Sequence, residues 1–319
     1  MALEQACIEM FSKPWGSTDL LPWSGTGHSS VPIGELWFQR CDKHGPEPAL
    51  LLKLLFTQEA LSIQVHPNDA AAHGMGLPRG KTEAWYILSA ASDATVGVGL
   101  KAVVPPEQLR AAIADGSIAQ LVAWHKPHAG EVIAVPAGTI HAIGAGLVLV
   151  EIQQRSDTTF RLFDHGRARE LHIEQGVAVA DAGPTKRTIP PRRLNDVRTV
   201  LVANPHFVFE RVDLPAGSVW ELDVRCETWV LAIAGDATIG ALQIGVGQGC
   251  FIEAQSARIV PGEAGMSCLV AYDEAAPSRD LLRRVDGDDM PRFRETVSPP
   301  TGPPQAVLNS PVPSKEARS

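Results

Sequence analysis

Four residues in the first half of the chain carry side chains that bind divalent metal ions: Gln64, His66, Glu83 and His141. Two imidazoles, one carboxylate and one amide oxygen form a nitrogen and oxygen ligand set that suits Zn²⁺. Because the set contains no thiolate, it is typical of a catalytic rather than a structural zinc site. Each residue alone would be unremarkable, and Glu83 by itself would be expected to be a solvated strand residue. Together they indicate one zinc ion per chain.

The segment that contains two of these residues has the pattern of a β-strand. Residues 61–66 read Leu-Ser-Ile-Gln-Val-His, so apolar and polar side chains alternate along the segment. Successive side chains of a strand point to opposite faces, and Gln64 and His66 therefore share the polar face. This strand is expected to present both ligands on one side and apolar residues on the other.

The fourth ligand follows a sharp turn. Gly130, Pro136 and Gly138 precede His141 with the spacing Gly-x5-Pro-x-Gly-x2-His. Glycine and proline favour a tight turn at this point. A lone histidine after a β-turn is usually exposed, but the three other ligands favour an inward orientation of His141.

Composition excludes several classes of protein. Hydrophobic residues make up 45% and charged residues 20% of the 319 residues, which is the composition of a globular chain. With a net charge of -8 there is no basic footprint for nucleic acid or an anionic membrane. The N-terminus lacks the basic and apolar regions of an export signal, so we expect a soluble cytoplasmic protein.

The cysteines form no recognisable framework. They are scattered, odd in number and without Cys-x2-Cys spacing: Cys7, Cys41, Cys226, Cys250 and Cys268. We therefore expect neither a disulfide framework nor a thiolate zinc site, and interpret them as buried free thiols of a reducing compartment.

Periodicity and turn residues predict many short strands and few helices. Strands are predicted over residues 50–56, 61–66, 82–88, 94–98, 131–135 and 146–153, and again over 207–213, 218–224, 228–234 and 268–272. Apolar residues at helical spacing after Pro105-Pro106 predict a helical insertion near 105–123. The tryptophans at 15, 23 and 37 are interpreted as packing residues of the core or of a domain contact.

Four ordered sequence blocks resemble type I mannose-6-phosphate isomerases. The Gly-x5-Pro-x-Gly-x2-His spacing is itself similar to the second motif of cupins, small β-barrels that hold a metal between facing strands. The blocks are Leu52-Lys53 with residues 61–69, residues 80–86 (GKTEAWY), residues 135–144 (VPAGTIHAIG) and residues 151–161 (EIQQRSDTTFR). The compact length resembles the shorter bacterial subgroup of that family. The resemblance implies that Gln64, His66, Glu83 and His141 bind the metal.

The resemblance also implies the fold and the domains. We expect a mainly β chain with two cupin-like jelly-roll or barrel domains and the short helical insertion in the first. The catalytic domain is placed at residues 1–185 and a second, smaller cupin-like domain at 186–275. Residues 276–319 are expected to be a polar, proline-rich and largely disordered tail, dispensable for activity from about Ser298 onward.

The remaining site residues are assigned by the family pattern. Interconversion of an aldose and a ketose through an enediol needs a base that moves a proton between C1 and C2, and cations that stabilise negative charge. Glu151 occupies the position of the candidate base, on the same strand face as Gln153. The matched cations are Lys53, Lys81 and Arg161, which bind phosphate or stabilise the enediolate, and Asp157 is assigned to orient a cation or to cap a turn. Of these cations, Arg161 and Lys81 are also assigned to catalysis.

The expected activity is a zinc-dependent interconversion of mannose 6-phosphate and fructose 6-phosphate. The partner would be a small sugar phosphate, with the chain a monomer or homodimer. Isomerisation of another phosphorylated or free aldose and a non-catalytic sugar-sensing cupin remain alternatives, and the retained Glu151 and Arg161 argue against the second. Cupins also include iron dioxygenases with two histidines and a carboxylate, but Gln64 and the Lys81-x-Glu83 block argue against that class.

Overall fold

The computed structural model describes residues 2–185 and 190–285. Its first half contains twelve strands and four short helices within residues 2–185. The strands are β1 Ala2–Gln5, β2 Cys7–Asp19, β3 His28–Gln39, β4 Leu50–Thr57, β5 Ile63–Val65, β6 Glu83–Ala90, β7 Val96–Leu100, β8 Val122–His125, β9 Val132–Val135, β10 His141–Ile143, β11 Leu147–Gln154 and β12 Phe160–Phe163. The helices are α1 Asp69–Gly74, α2 Pro106–Asp115, α3 Ile118–Leu121 and α4 Ile173–Val179.

The second half contains strands only, within the described residues 190–285. They are β13 Arg192–Arg193, β14 Arg198–Ala203, β15 Val208–Leu214, β16 Trp220–Val224, β17 Thr228–Ile239, β18 Leu242–Gly245, β19 Gly249–Glu253, β20 Gln255–Tyr272 and β21 Leu282–Arg284. The mainly β fold that the sequence predicts is confirmed.

Two antiparallel sheets form from strands β2 to β12 in the first half of the chain. One has the strand order β2-β3-β4-β11-β6-β9 and the other the order β12-β5-β10-β7-β8. Apolar side chains of both sheets, among them Trp85, Val96 and Leu149, pack together in one core cluster. Trp15 joins this cluster with 3% of its surface exposed, which confirms its interpretation as a packing residue.

The central strand of the six-stranded sheet is buried on both faces. Every residue of β4 is buried, and its side chains alternate between the two sides of the sheet. Leu52 and Phe56 on the outer side pack with Phe207 and Trp229 of the second half of the chain in one core cluster. The opposite side, which carries Lys53 and Leu55, faces the interior between the two sheets. Strand β4 therefore contacts both halves of the chain.

The helical insertion lies where the sequence predicts it. Helix α2 begins with Pro106 at its first turn and ends at Gly116, whose left-handed φ of 79° closes the helix. Leu109 and Ile113 of α2 pack with Ile63 of β5 in a separate apolar cluster. The insertion thus supports the sheet that carries two of the predicted ligands.

The first and last strands of the described residues both pair with strands of the second half of the chain. Strand β1, which is expected from the sequence in the first domain, pairs with β19, and β21 pairs with β16. Residues 282–284 are therefore strand within the segment that was expected to be a tail. The proline-rich part from Ser298 onward lies outside the described residues.

Two of the cysteines correct the expectation of free thiols. Cys7 and Cys41 form a disulfide, whereas Cys250 and Cys268 are free and buried and Cys226 is free and partly buried. Cys7 begins β2 and pairs with Gln39, the last residue of β3. Cys41, two residues beyond β3, therefore lies close to Cys7. This proximity arises from strand pairing over a sequence separation of 34 residues, which the spacing of the cysteines did not reveal.

In the described residues, no helix has the length and apolar character needed to span a membrane.

Candidate active site and metal centre

Three of the predicted ligands come together from the two facing sheets. His141 begins β10 directly opposite Gln64 of β5, His66 follows β5, and Glu83 begins β6 of the other sheet. One ligand atom from each of His66, Glu83 and His141 can be chosen so that all lie within 4.8 Å of one another. Their exposed fractions are only 1%, 1% and 0%, so Glu83 is not a solvated strand residue.

The imidazole rings are oriented by the backbone. Nδ1 of His66 donates to the carbonyl oxygen of Thr158 at 2.9 Å, and Nδ1 of His141 donates to that of Thr139 at 2.8 Å. With the proton on Nδ1, each Nε2 keeps a free lone pair. These Nε2 atoms lie 3.4 Å and 3.3 Å from the two carboxylate oxygens of Glu83. A carbonyl that fixes the tautomer in this way is the usual support of a metal-binding histidine.

The electrostatics of the cluster fit a divalent cation. Nε2 of His66 is buried and has no hydrogen-bond partner among the described residues, and it faces the buried Oε2 of Glu83 at 3.4 Å. Burial, with the nearby charge of Lys81, lowers the pKa of His66 to about 3, and burial also lowers the pKa of His141. Burial by itself would raise the pKa of Glu83, but Lys81 and the two histidines hold it well below its ordinary value. Neutral imidazoles facing an ionised carboxylate are the donor set that a cation requires.

Gln64, the fourth predicted ligand, places its amide group beside His141. Its Nε2 lies 3.3 Å from Nε2 of His141, and its Oε1 accepts a hydrogen bond from Ser62 at 3.2 Å. Rotating the side-chain amide of Gln64 by about 180° exchanges its oxygen and nitrogen, and the oxygen then points toward Nε2 of His141. Gln64 is therefore in reach of the centre that the other three residues form.

Lys81 lies against the metal cluster. Its Nζ is 3.1 Å from Oε2 of Glu83, and only 5% of the residue is exposed. Burial by itself would lower the pKa of Lys81, but the charges of Glu83 and Glu151 outweigh it and raise the pKa. Lys81 is therefore a buried ammonium group and not a base at neutral pH.

Glu151 and the metal cluster share a hydrogen-bond donor. The indole Nε1 of Trp85 lies 3.1 Å from Oε1 of Glu83 and 3.1 Å from Oε2 of Glu151. Glu151 is 4% exposed, and burial together with the charge of Glu83 raises its pKa against the opposing effect of Lys53. A buried carboxylate of raised pKa, one side chain away from a metal centre, is suited to accept a proton.

Residues of β3 that the sequence did not single out for the site also reach it. Nζ of Lys53 lies 3.3 Å from Oε1 of Glu151, 3.9 Å from Oε2 of Glu35 and 4.6 Å from the centre of the Trp37 ring. The sequence pattern assigns no site role to Glu35 and predicts only a packing role for Trp37. The one available signal was the alternation of Glu35 and Trp37 around a leucine, which places both on one face of a strand.

Arg161 and Asp157 occupy different surroundings. Arg161 is paired with Gln64 across β12 and β5, its Nη1 donates to the carbonyl oxygen of Glu170 at 2.8 Å, and its buried Nε has no partner among the described residues. Asp157 is exposed and makes no ion pair within residues 2–185 and 190–285. It lines a groove of about 530 Å³ together with Trp37. The structure thus brings Arg161 beside a predicted ligand and leaves Asp157 at the surface.

The loop after Arg161 is held by a buried carboxylate. Asp164 is 3% exposed and accepts hydrogen bonds from Nε of Arg167 at 3.1 Å and from Nε and Nη2 of Arg169 at 2.7 and 2.6 Å. Burial by itself would raise the pKa of Asp164, but Arg169 and Arg167 outweigh it and lower the pKa. A carboxyl whose pKa is lower in the folded chain stabilises the fold above its unfolded pKa and loses that contribution as the pH falls.

We expect Asp164→Asn to lower the free energy of unfolding by about 1–3 kcal/mol at pH 7, because it removes charge-assisted hydrogen bonds. The difference from wild type should shrink below about pH 4, where the unfolded carboxyl of the wild type gains its proton. Urea unfolding of both proteins, at a series of pH values from 7 down to the pH at which the wild type unfolds, measures this difference in the free energy of unfolding. Asp196→Asn, which removes an exposed ion pair with Arg193, is the control. An equal loss at every pH would contradict the electrostatic explanation.

Comparisons with known proteins show which proteins this chain is similar to. No protein-family model matches the chain. The mannose-6-phosphate isomerase of Streptococcus mutans is 36% identical over 236 residues, which cover 70% of this chain and 74% of that protein. A mannose-6-phosphate isomerase of Bacillus subtilis is 39% identical over 188 residues, 54% of this chain and 58% of that protein.

Solved structures match the fold over most of the described chain. The crystal structure of the mannose 6-phosphate isomerase from Bacillus subtilis has a TM-score of 0.75 at 24% identity, and the match covers 85% of this chain and all 100% of that one. A mannosephosphate isomerase structure from Archaeoglobus fulgidus gives 0.67 at 16% identity, over 85% and 97% of the two chains. The sequence identity to the Streptococcus mutans protein, over most of its length, shows that the chain belongs to the mannose-6-phosphate isomerase family.

Proposed function

We propose that this chain is a zinc-dependent aldose–ketose isomerase that interconverts mannose 6-phosphate and fructose 6-phosphate through an enediol. The observation that carries the proposal is the single indole N–H of Trp85, which lies 3.1 Å from both Glu83 of the metal cluster and Glu151. The indole holds Glu151, the candidate proton acceptor, beside the residues that would bind an electrophilic metal ion. This pairing is what proton transfer at a carbon next to a carbonyl requires.

Zinc is proposed from the chemistry of the donors. Gln64, His66, Glu83 and His141 would hold it, since imidazole and carboxylate donors without thiolate suit a catalytic zinc. When bound, the ion supplies positive charge that polarises a carbonyl group. The buried and unpartnered Nε2 of His66 supports this assignment because an unpaired polar atom in the interior is costly.

Glu151 is proposed as the base that moves the proton between C1 and C2. Its carboxylate is buried 3.3 Å from Nζ of Lys53, and burial with the Glu83 charge raises its pKa. A stronger base results, which makes proton abstraction from carbon less unfavourable. Lys81, an ammonium group 3.1 Å from Glu83, is proposed to stabilise negative charge on the enediolate.

Recognition of the phosphate is proposed for Arg161 and Lys81. Arg161 lies on β12 directly opposite Gln64, and its Nε has no partner among the described residues. A guanidinium remains charged at all working pH values and can donate two parallel hydrogen bonds to phosphate oxygens. Because Asp157 lies at the surface, it would influence Arg161 only through the loop between β11 and β12 that contains Asp157.

An assay that identifies the product tests the proposed function. Zinc-loaded protein is incubated with fructose 6-phosphate, and the aldose phosphate formed is identified by chromatography against mannose 6-phosphate and glucose 6-phosphate. We expect mannose 6-phosphate alone. Formation of another aldose phosphate would change the substrate, and no conversion by metal-loaded protein would favour a non-catalytic sugar-binding role.

A further inference from the structure

Lys53 is enclosed by groups that compensate its charge. Only 4% of the residue is exposed, and its ammonium lies 3.3 Å from Oε1 of Glu151 and 3.9 Å from Oε2 of Glu35, above the ring of Trp37 at 4.6 Å. An ammonium group between two carboxylates and an aromatic face already has favourable partners. A phosphate dianion at this point would lie beside two negative charges of the protein. The surroundings of Lys53 therefore favour a partner within the protein over the substrate phosphate.

Glu35 is itself fixed in place. Its Oε2 accepts a hydrogen bond from the indole Nε1 of Trp37 at 2.6 Å, and its Oε1 lies 3.4 Å from Nζ of Lys13. Glu35 is 9% exposed, and although burial by itself would raise its pKa, Lys53 and Lys13 outweigh burial and lower it. Glu35 is thus an ionised carboxylate with a fixed orientation, able to anchor the ammonium of Lys53.

The strand register aligns Lys53 with the base, while Glu35 pairs with Leu55, two residues further along β4. Trp37 pairs with Lys53, Lys53 with Glu151 and Glu151 with Trp85 across the four neighbouring strands β3, β4, β11 and β6. Trp85 binds one oxygen of Glu151 and Lys53 lies against the other, so both oxygens of the carboxylate have a fixed neighbour. The lysine is the more flexible of the two, because its ammonium ends a four-carbon stem.

We propose that Glu35 is a positioning residue of the isomerase, which holds Lys53 against Glu151, and that Lys53 orients the base and does not bind the phosphate. This inference rests on the proposed function, because it assigns Glu151 as the base. Without Glu35 the ammonium of Lys53 loses its anchor and Glu151 samples more orientations. The loss therefore falls on the chemical step and not on substrate binding.

A double-mutant cycle tests the proposal. Glu35→Gln, Lys53→Met and the double variant are prepared as zinc-loaded protein, and kcat and KM for fructose 6-phosphate are measured together with zinc content and the unfolding temperature. We expect each single variant to lower kcat by about two- to 100-fold with KM changed less than about threefold. Because Glu35 acts through Lys53, the double variant should be no slower than Lys53→Met.

Two outcomes would overturn the proposal in an active enzyme. If the kcat losses of the single variants multiply in the double variant, Glu35 acts independently of Lys53. If Lys53→Met raises KM for the phosphorylated sugar and leaves kcat intact, Lys53 binds the phosphate. Glu174→Gln, which removes an exposed carboxylate paired with Arg110, is the control and should not change kcat.

The results for the variants and for the wild type distinguish a failure of the positioning role of Glu35 from a failure of the proposed isomerase function. Should Lys53→Met fail to fold, Lys53→Gln repeats the cycle with a polar side chain of smaller hydrophobic surface. Wild-type protein that leaves fructose 6-phosphate unconverted would contradict the proposed function itself and this inference with it. Active wild type with multiplicative losses would contradict only the role of Glu35.

Discussion

Glu151→Gln should reduce kcat by roughly 10²–10⁴, the range typical of the loss of a general base, while the bound metal is retained. The substitution keeps the size of the side chain and can still accept the hydrogen bond from Trp85 Nε1, which lies 3.1 Å from Oε2 of Glu151. It removes the basic carboxylate, so the proton transfer loses its acceptor. Steady-state kinetics on fructose 6-phosphate and metal analysis of the same preparation measure the two effects separately.

Two results would contradict this role of Glu151. Loss of zinc from Glu151→Gln would make Glu151 a ligand, and the ligand set would have to be reassigned. A reduction of less than about tenfold with zinc intact would require another base, since general base catalysis contributes at least 10²-fold. The exposed Glu174→Gln, which also replaces a carboxylate by an amide, provides the matched control.

His141→Ala should remove most of the metal and nearly all activity. The imidazole is fully buried, and its Nε2 lies 3.3 Å from Oε1 of Glu83, inside the cluster that would hold the ion. The substitution lowers the affinity for zinc because it removes one of the two neutral imidazole nitrogens from the proposed ligand set. Elemental analysis after dialysis should find about one zinc per wild-type chain and far less in the variant.

The control for this experiment is another histidine. His125→Ala removes an imidazole that is 44% exposed and pairs with Glu131 away from the cluster, so zinc content should not change. Full zinc occupancy in His141→Ala would contradict the ligand assignment. Stoichiometric iron without zinc in the wild type, or activity that survives strong chelation, would contradict the choice of metal.

Strand positions were predictable where the pattern is local. Residues 50–56 and 61–66 lie in β4 and around β5, and the helical insertion near 105–123 contains α2 and α3. Apolar alternation and proline at a helix start depend on neighbours in sequence, so they can be recognised without the fold. The long hairpin of β2 and β3 was not predicted, since its strands contain glycine, proline and irregular register and show no clean alternation.

The disulfide between Cys7 and Cys41 could not be predicted from the spacing of the cysteines along the sequence. Cys7 and Cys41 meet because β2 and β3 pair along their length, and the hairpin was not predicted. Without that pairing, an odd number of scattered cysteines gives no indication of which two are close. The expectation of a free thiol is confirmed for Cys226, Cys250 and Cys268, of which the last two are also buried.

By itself the sequence determined which residue types are available for a metal site, namely Gln64, His66, Glu83 and His141, and that Glu151 and Lys81 lie in motifs of one family. Only the tertiary structure decided which charges are neighbours. Lys53 meets Glu151 and Glu35 through the pairing of β4 with β11 and with β3, and these partners come from distant parts of the chain. The physical reason is that residue type and alternation are properties of a short segment, whereas the partner of a buried charge is set by strand register.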